Sequence, residues 1–149
     1  MPKLDLDQIE QTNRTTYPEP FASDMGGRWF RRVGDFAGLQ DFGASHVVLK
    51  PGGISSQRHW HVDEDELVVM LEGEAVLVED QGRTIMRPGD VAVFPKNTGD
   101  GHHLINESDS DCIFLAVGKK AVGVAYYPDI DLVWNGPSGR YEHKDGSPY

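Results

Sequence analysis

The sequence predicts an all-β domain, a barrel or sandwich built from short antiparallel strands. Its 149 residues include 17 glycines and nine prolines, which divide the chain into short segments. Short segments with regular turn signals are typical of β-barrels and sandwiches and not of helical bundles. The longest apolar run, residues 112–117, is far shorter than the roughly 20 residues that a membrane helix needs. We therefore expect a single domain without a membrane span.

Three segments follow one another along the chain. Residues 1–24 are predicted to form an extended N-terminal arm, because the stretch around Pro18 and Pro20 is too rich in proline for a helix interior. We expect this arm to cover a sheet edge. Residues 25–120 predict the barrel. Residues 121–149 predict an irregular C-terminal tail that packs on the barrel or on a dimer partner, with Tyr126 and Trp134 as aromatic anchors.

Within the barrel, alternation of apolar and polar residues defines the strands, and Gly, Pro, Asp or Asn follows each of them. The turn at residues 80–82 indicates a hairpin, and residues 87–90 form a second turn. The predicted strands are residues 28–33, 46–50, 56–61, 66–72, 74–79, 83–86, 91–94, 102–106 and 112–117.

Charge and cysteine content restrict the class of partner. The net charge of −10 argues against nucleic acid or an anionic membrane, which would each favour a basic surface. The one cysteine, Cys112, excludes an internal disulfide and suits a core position in a reducing compartment. The first residues contain no apolar secretory segment. We expect a cytoplasmic homodimer that binds a small molecule, with no nucleic acid and no membrane as partner.

The stretch from Gly53 to Gly73 has the spacing of a metal site. His59 and His61 point to the same face of a strand, and Glu66 opens the next strand, from which its carboxylate can turn toward them. Two imidazoles and a carboxylate suit Zn, Fe, Ni, Co or Mn and leave further positions open. A bare His-x-His is common on solvated strands, but chance agreement of all five residues is on the order of one in ten thousand per chain.

This pattern, G-x5-H-x-H-x4-E-x6-G, resembles the first motif of the cupin superfamily without a substitution. The second motif, usually G-x5-P-x-G-x2-H-x3-N, is matched at Gly89, Pro95, His102 and Asn106. Asn97 stands where the motif has glycine, and two additional residues lengthen the turn before the histidine. Asn tolerates a left-handed backbone nearly as well as glycine, so the longer loop is compatible with the motif.

The resemblance implies a cupin jelly-roll barrel of antiparallel strands and one divalent metal ion, which is Zn, Fe, Mn or Ni. Its ligands by the resemblance are His59, His61, Glu66 and His102. Spacing to Asn106 favours His102 over His103 as the fourth ligand. His103 is then expected to be exposed to solvent or to contact one of the metal-binding side chains. The other two histidines, at positions 46 and 143, are expected to be unrelated to the metal.

Residues in phase with the ligands are expected to face the interior, whereas Arg58 and Trp60 point outward. In the acidic run, residues 63–65 are expected to form a solvated loop, with Glu66 alone turned inward. The predicted pocket-lining residues are Gln57, Val68, Met70 and Leu104.

The chain resembles short bacterial single-domain cupins of the sugar-phosphate-isomerase-like type. We therefore expect a metal-dependent cupin that acts on a small hydroxylated or carbonyl-bearing metabolite, with a sugar or sugar-phosphate isomerase first. The alternatives are a non-catalytic metal-dependent binding module for a small ligand, and a cupin dioxygenase or lyase. Catalytic residues stay unassigned, since Tyr126 and Gln57 are candidates by position alone. Candidates for a phosphate contact are Lys50, Arg58, Arg140 and Lys144.

Overall fold

A computed structural model describes residues 3–120 and 123–149, and these residues form twelve strands. Short 3-10 helices at Leu6–Gln8 and Phe21–Gly27 precede the first strand, and α1 (Val33–Phe36) is one helical turn. None of the helices in the described ranges has the length and apolarity to cross a bilayer. The strands are β1 (Arg28–Arg31), β2 (Phe42–Leu49), β3 (Trp60–His61), β4 (Glu66–Glu72), β5 (Ala75–Glu79), β6 (Gly82–Met86), β7 (Val91–Phe94), β8 (His103–Ile105), β9 (Cys112–Lys119), β10 (Val124–Tyr127), β11 (Leu132–Asn135) and β12 (Arg140–Glu142).

The strands form three antiparallel sheets, which confirms the predicted all-β jelly-roll class. The largest sheet has the strand order β1-β2-β9-β4-β7. The others have the orders β6-β5-β8 and β12-β11-β10-β3. Two isolated bridges, Ile54 to Ile105 and His59 to His102, connect the chain before β3 with the chain at β8.

The main hydrophobic core lies between the five-stranded and the three-stranded sheets. Leu49, Met70 and Phe114 come from the first sheet and are almost fully buried, and they belong to one cluster with Leu77 and Leu104 from the second. Alternate residues of each strand supply this core, as expected for sheets packed face to face. Cys112, also fully buried, is a core residue as predicted.

The predicted strand at residues 56–61 is the largest difference inside the barrel, because regular pairing begins only at Trp60. The Ser55 hydroxyl accepts a hydrogen bond from the Leu104 backbone N–H at 2.9 Å, so a side chain replaces a ladder bond there. At the other predicted strands the elements shift by a few residues. The first strand ends at Arg31, before the helical turn, and the second begins at Phe42 because its pairing with β9 extends to Lys119.

The tail, expected to be irregular, contains β10, β11 and β12. Its first strand pairs with β3, placing Ala125 opposite His61 and Tyr126 opposite Trp60. Apolar and polar residues alternate poorly in the tail, because its aromatic residues serve both the sheet and a second core. The sequence pattern therefore did not predict these strands. The predicted boundary at residues 120 and 121 borders positions outside the described ranges.

The second core joins the tail to the N-terminal arm. Tyr127 and Leu132 are its buried centre, with Tyr17 and Phe21 of the arm and Trp134 of the tail packed against them. Tyr126 instead is 39% exposed and stacks on Trp60 at a centroid distance of 4.9 Å, so the buried anchor is its neighbour. Upstream in the arm, Thr12 pairs with Phe30 through two backbone hydrogen bonds and so covers the edge of β1.

Leu132→Ala tests whether the tail is an integral part of the fold. Leu132 has no exposed surface, so truncation leaves a cavity and should lower the free energy of unfolding by about 2–5 kcal/mol. Val93→Ala, at a site that is 63% exposed, is the matched control and should change it by less than about 0.5 kcal/mol. Equal stability of both variants in urea unfolding would show that the second core contributes nothing to stability.

Candidate metal centre

Strand pairing brings the histidines of the two sequence motifs together. His59 and His102 form an antiparallel bridge, in which the His102 N–H donates to the His59 carbonyl at 2.9 Å and the reverse bond measures 3.2 Å. His61 ends β3, and Glu66 is the first residue of β4. The loop between them is held by the Asn97 N–H, which donates to the His61 carbonyl at 2.7 Å. Asn97 has φ 59°, the left-handed conformation expected where the motif has glycine.

The donor atoms of His59, His61 and Glu66 all lie within 4.8 Å of one another, as a metal site requires. Nε2 of His59 is 3.0 Å from Nε2 of His61, and the latter is 3.2 Å from Oε2 of Glu66. His102 joins them, since its Nε2 lies 3.0 Å from the same carboxylate oxygen. Phe94 stacks on the His102 ring at 3.6 Å, and this contact holds the imidazole in place.

The outer ring nitrogens determine where the lone pairs point. Nδ1 of His59 donates to the Gln57 carbonyl at 2.9 Å, so its Nε2 carries the lone pair. Nδ1 of His61 is 3.3 Å from Oε2 of Glu64, and an ionised Glu64 accepts that proton. With these protons alone, two imidazole lone pairs would face each other beside a carboxylate. Such a group is stable only with a cation between its members, either a proton or a metal ion.

Burial and the shared negative charge shift the pKa values in opposite directions. Burial is the main cause that lowers the pKa of His59 to about 3. For His61, burial lowers the pKa, but hydrogen bonding to Glu66 and the charges of Glu66 and Glu64 outweigh it, and the pKa is raised. For Glu66, burial alone would raise the pKa, yet the hydrogen bonds from His102 and His61 hold it well below its ordinary value. The carboxylate is thus ionised and ready to bind a cation.

His103 follows in the chain but is oriented differently. Its Nδ1 donates to the Ser56 carbonyl at 2.9 Å, and its backbone pairs with Val78 in the three-stranded sheet. The structure thus brings His102 to the cluster and leaves His103 outside it. His46 lies on β2, and His143 is bound to Asp131 at 2.8 Å in the tail, so neither contributes to the cluster.

Glu64 was predicted to lie in a solvated loop, but it belongs to the candidate site. Its side chain is only 16% exposed, between exposed neighbours, and it contacts His61. Gly118 makes the space for it, because a Cβ there would lie 2.6 Å from Oε1 of Glu64. Burial, together with the charge of Glu66, raises the pKa of Glu64 to about 7, despite the opposing effects of His61 and Lys119. A carboxylate behind a histidine ligand orients the ring and makes it more basic.

The cluster lies in the wall of a cavity of about 340 Å³, large enough for a small metabolite. Its apolar lining includes Val68 and Leu104, as expected, with Phe94 and Phe114 beside them. Met70 is buried within the core, and Gln57 donates to Asp24 at 2.7 Å, so these two predicted lining residues lie elsewhere. Gln57 faces away because regular pairing has not yet begun at that point of the chain.

The four predicted phosphate contacts also lie outside the cavity lining. Arg58 was expected to point outward, but its side chain is only 14% exposed and donates two hydrogen bonds to Asp129, at 2.7 and 2.8 Å. Lys50 pairs with Asp111, and Arg140 pairs with Glu142. Lys144 donates to the Pro128 carbonyl at 3.2 Å. Instead, the cavity is lined by Arg28 and Arg32, whose positions in the sequence carry no motif.

Comparison with known proteins agrees with the motifs. The profile of the cupin domain matches residues 45–118, which include the four clustered side chains. No protein among those with curated functions matches the chain significantly.

Solved structures extend this likeness over the whole chain. A sugar phosphate isomerase of the cupin superfamily from Silicibacter pomeroyi is 44% identical, with a TM-score of 0.94 over 99% of this chain and 96% of that one. A candidate sugar phosphate isomerase from Acidithiobacillus ferrooxidans is 26% identical, with a TM-score of 0.72 over 77% of this chain and 74% of that one. A polyketide cyclase from Streptomyces resistomycificus shares the fold at 23% identity and a TM-score of 0.65, over 81% of this chain and 80% of that one. The chain belongs to the cupin superfamily.

Proposed function

We propose that this cupin is a metal-dependent enzyme with sugar or sugar-phosphate isomerase chemistry on a small hydroxylated or carbonyl-bearing metabolite. The observation that carries the proposal is the approach of the His59 and His61 Nε2 atoms to 3.0 Å, beside the Glu66 carboxylate in a cavity wall. An ordinary core does not assemble such a group, because its members repel one another without a cation.

The four side chains fit one divalent ion. Ligands at about 2.0–2.2 Å from one ion lie roughly 3.0–3.5 Å apart from each other. The separations found here run from 3.0 Å to the 3.8 Å between His59 and Glu66. We propose His102 as the fourth ligand beside the triad. A metal with five or six ligands then keeps positions for substrate on the cavity side.

The chemistry that such an ion supplies is polarisation of a hydroxyl or carbonyl oxygen of the substrate. The chain itself supplies the surroundings. Phe94 and Phe114 keep the cavity wall apolar, which strengthens electrostatic interactions inside. The Tyr17 phenol also lines the cavity, and burial raises its pKa, so it holds its proton and can donate a hydrogen bond to a substrate oxygen. Isomerisation moves a proton between adjacent carbons, and a hydrogen bond of this kind would stabilise the negative charge that develops on the substrate oxygen.

The 44% identical relative from Silicibacter pomeroyi, a sugar phosphate isomerase, supports the isomerase proposal over a dioxygenase or lyase. The second candidate function is a non-catalytic binding module, because it would use the same cluster and the same cavity. Turnover separates the two. The expected homodimer and the cytoplasmic location stay predictions.

Metal-loaded protein is expected to interconvert an aldose or its phosphate with the corresponding ketose. Reaction in deuterium oxide should incorporate deuterium at the carbon next to the carbonyl, since the proton is exchanged at an acid–base group. Mass spectrometry measures this, with chelator-treated protein as the control. Saturable binding without turnover, under Zn, Fe, Mn or Ni and with or without dioxygen, would favour the binding module instead.

His102→Ala and His103→Ala test the fourth ligand. His102 contacts Glu66, whereas His103 donates to a backbone carbonyl, so the first variant should lose metal and the second should retain it. Loss of one ligand is expected to weaken binding at least tenfold. The measurement is metal content after dialysis against a chelator of known affinity. Equal loss from both variants would contradict the assignment.

Metal affinity should fall on acidification, because a protonated His61 must release its proton before it can bind. The pKa of His61 lies above its ordinary value of about 6.5, so the decline begins above that pH. Each displaced proton contributes about a factor of ten per pH unit, so the loss is at least tenfold per unit below that pKa. His59, with its pKa near 3, does not compete in this range. An affinity that is unchanged between pH 8 and 5.5 would contradict the role of His61 as a ligand.

A further inference from the structure

The wall of the cavity contains a half-buried guanidinium that pairs with no carboxylate of the described residues. Arg28 lines the cavity, and its Nε is fully buried with no hydrogen-bond partner. None of the ion pairs formed by the described residues includes Arg28. A guanidinium that is partly withdrawn from water and has no paired anion is costly, so its place in the cavity wall favours an anionic ligand.

The remaining contacts of Arg28 determine which part of the guanidinium is available. Nη1 donates to the Ser55 carbonyl at 3.0 Å, and one face of the group lies over the Phe30 ring at 5.2 Å. These contacts fix the orientation of the side chain. They leave Nη2, which makes no hydrogen bond to the described residues, as the nitrogen through which the guanidinium can reach an oxygen of a carboxylate or phosphate.

The other charges around the cavity act in the same direction. Burial lowers the pKa of Arg28, and the other ionisable groups that affect it are tyrosines and Arg32, with no carboxylate among them. Arg32 is in phase with Arg28 across Phe30 and also lines the cavity, with a side chain that is 67% exposed. With a divalent ion bound, the single charge of Glu66 leaves the cavity positive, although the whole chain carries −10.

We propose that Arg28 is the centre of an anion subsite in the metal cavity, so the substrate carries a carboxylate or phosphate group. This inference rests on the proposed function in one respect: the bound molecule is a substrate only if the protein is an enzyme. Binding of an anion at the subsite does not depend on turnover. Arg28 holds the acidic group by its positive charge and through its Nη2. Arg32 at the more exposed end of the same strand face adds longer-range attraction. The metal cluster then meets the hydroxyl or carbonyl end of the same molecule.

The test uses zinc-loaded protein and three small probes, which are acetate, its neutral isostere acetamide, and inorganic phosphate. The Nε–H signal of Arg28 in a ¹H–¹⁵N spectrum is identified by its loss in Arg28→Gln. Acetate or phosphate should shift this signal, and acetamide should not. The anion that binds more tightly shows whether the subsite favours a carboxylate or a phosphate.

Calorimetry of the variants gives the second readout. Arg28→Gln should bind the anions at least tenfold more weakly, and Arg28→Lys, which keeps the charge but not the fork, should lie between it and the wild type. Arg31→Gln is the matched control on the same strand. The Arg31 side chain is 18% exposed and Nε donates to the Ile9 carbonyl at 3.2 Å, away from the cavity, so this variant should bind as the wild type does.

Two results would overturn the subsite. One is an Arg28 signal that does not move in the wild type at saturating acetate and phosphate. The other is anion binding by Arg28→Gln within twofold of the wild type, which would mean that the metal alone holds the anion. A positive result together with no turnover of any sugar would leave the subsite in place and contradict the isomerase proposal.

Discussion

The close approach of the His59 and His61 Nε2 atoms is the constraint on which the rest of the site depends. Backbone pairing places these atoms 3.0 Å apart beside Glu66. The His59 to His102 bridge closes one side, and the pairing of β3 with β10 closes the other. Because the scaffold holds the donor atoms together before any ion binds, less ordering is left for the binding step.

The tail and the arm stiffen this arrangement from outside the barrel. Tyr127 of the tail stacks on the His59 ring at 5.6 Å, and it belongs to the same core as Tyr17 of the arm. Arg58, next to His59 in the chain, is held by the fork of hydrogen bonds to Asp129 of the tail. These contacts also lower the pKa of Asp129. A segment that shows no motif in the sequence thus contacts the cluster of histidines and Glu66.

Prediction from sequence succeeded where residue type and spacing together determine geometry. The all-β class, the convergence of His59, His61 and Glu66, and the left-handed turn at Asn97 all follow from local rules. Glu64 and Arg28 could not be found in this way, because their importance depends on what lies opposite them after folding. For Glu64 that neighbour is Gly118, more than fifty residues away in the chain. For Arg28 it is the lack of a paired carboxylate among the described residues, which only the folded chain reveals.

Anomalous scattering can show whether the four side chains bind one divalent ion. Crystals of protein purified without a metal-chelating tag would be measured on both sides of the absorption edges of Mn, Fe, Ni and Zn. We expect a single peak about 2.0–2.3 Å from a donor atom of each of His59, His61, Glu66 and His102. The contrary result is full-occupancy density for the four side chains without such a peak, with the two Nε2 atoms still about 3 Å apart. A proton would then suffice to hold the cluster together, and the four side chains would not require a metal ion.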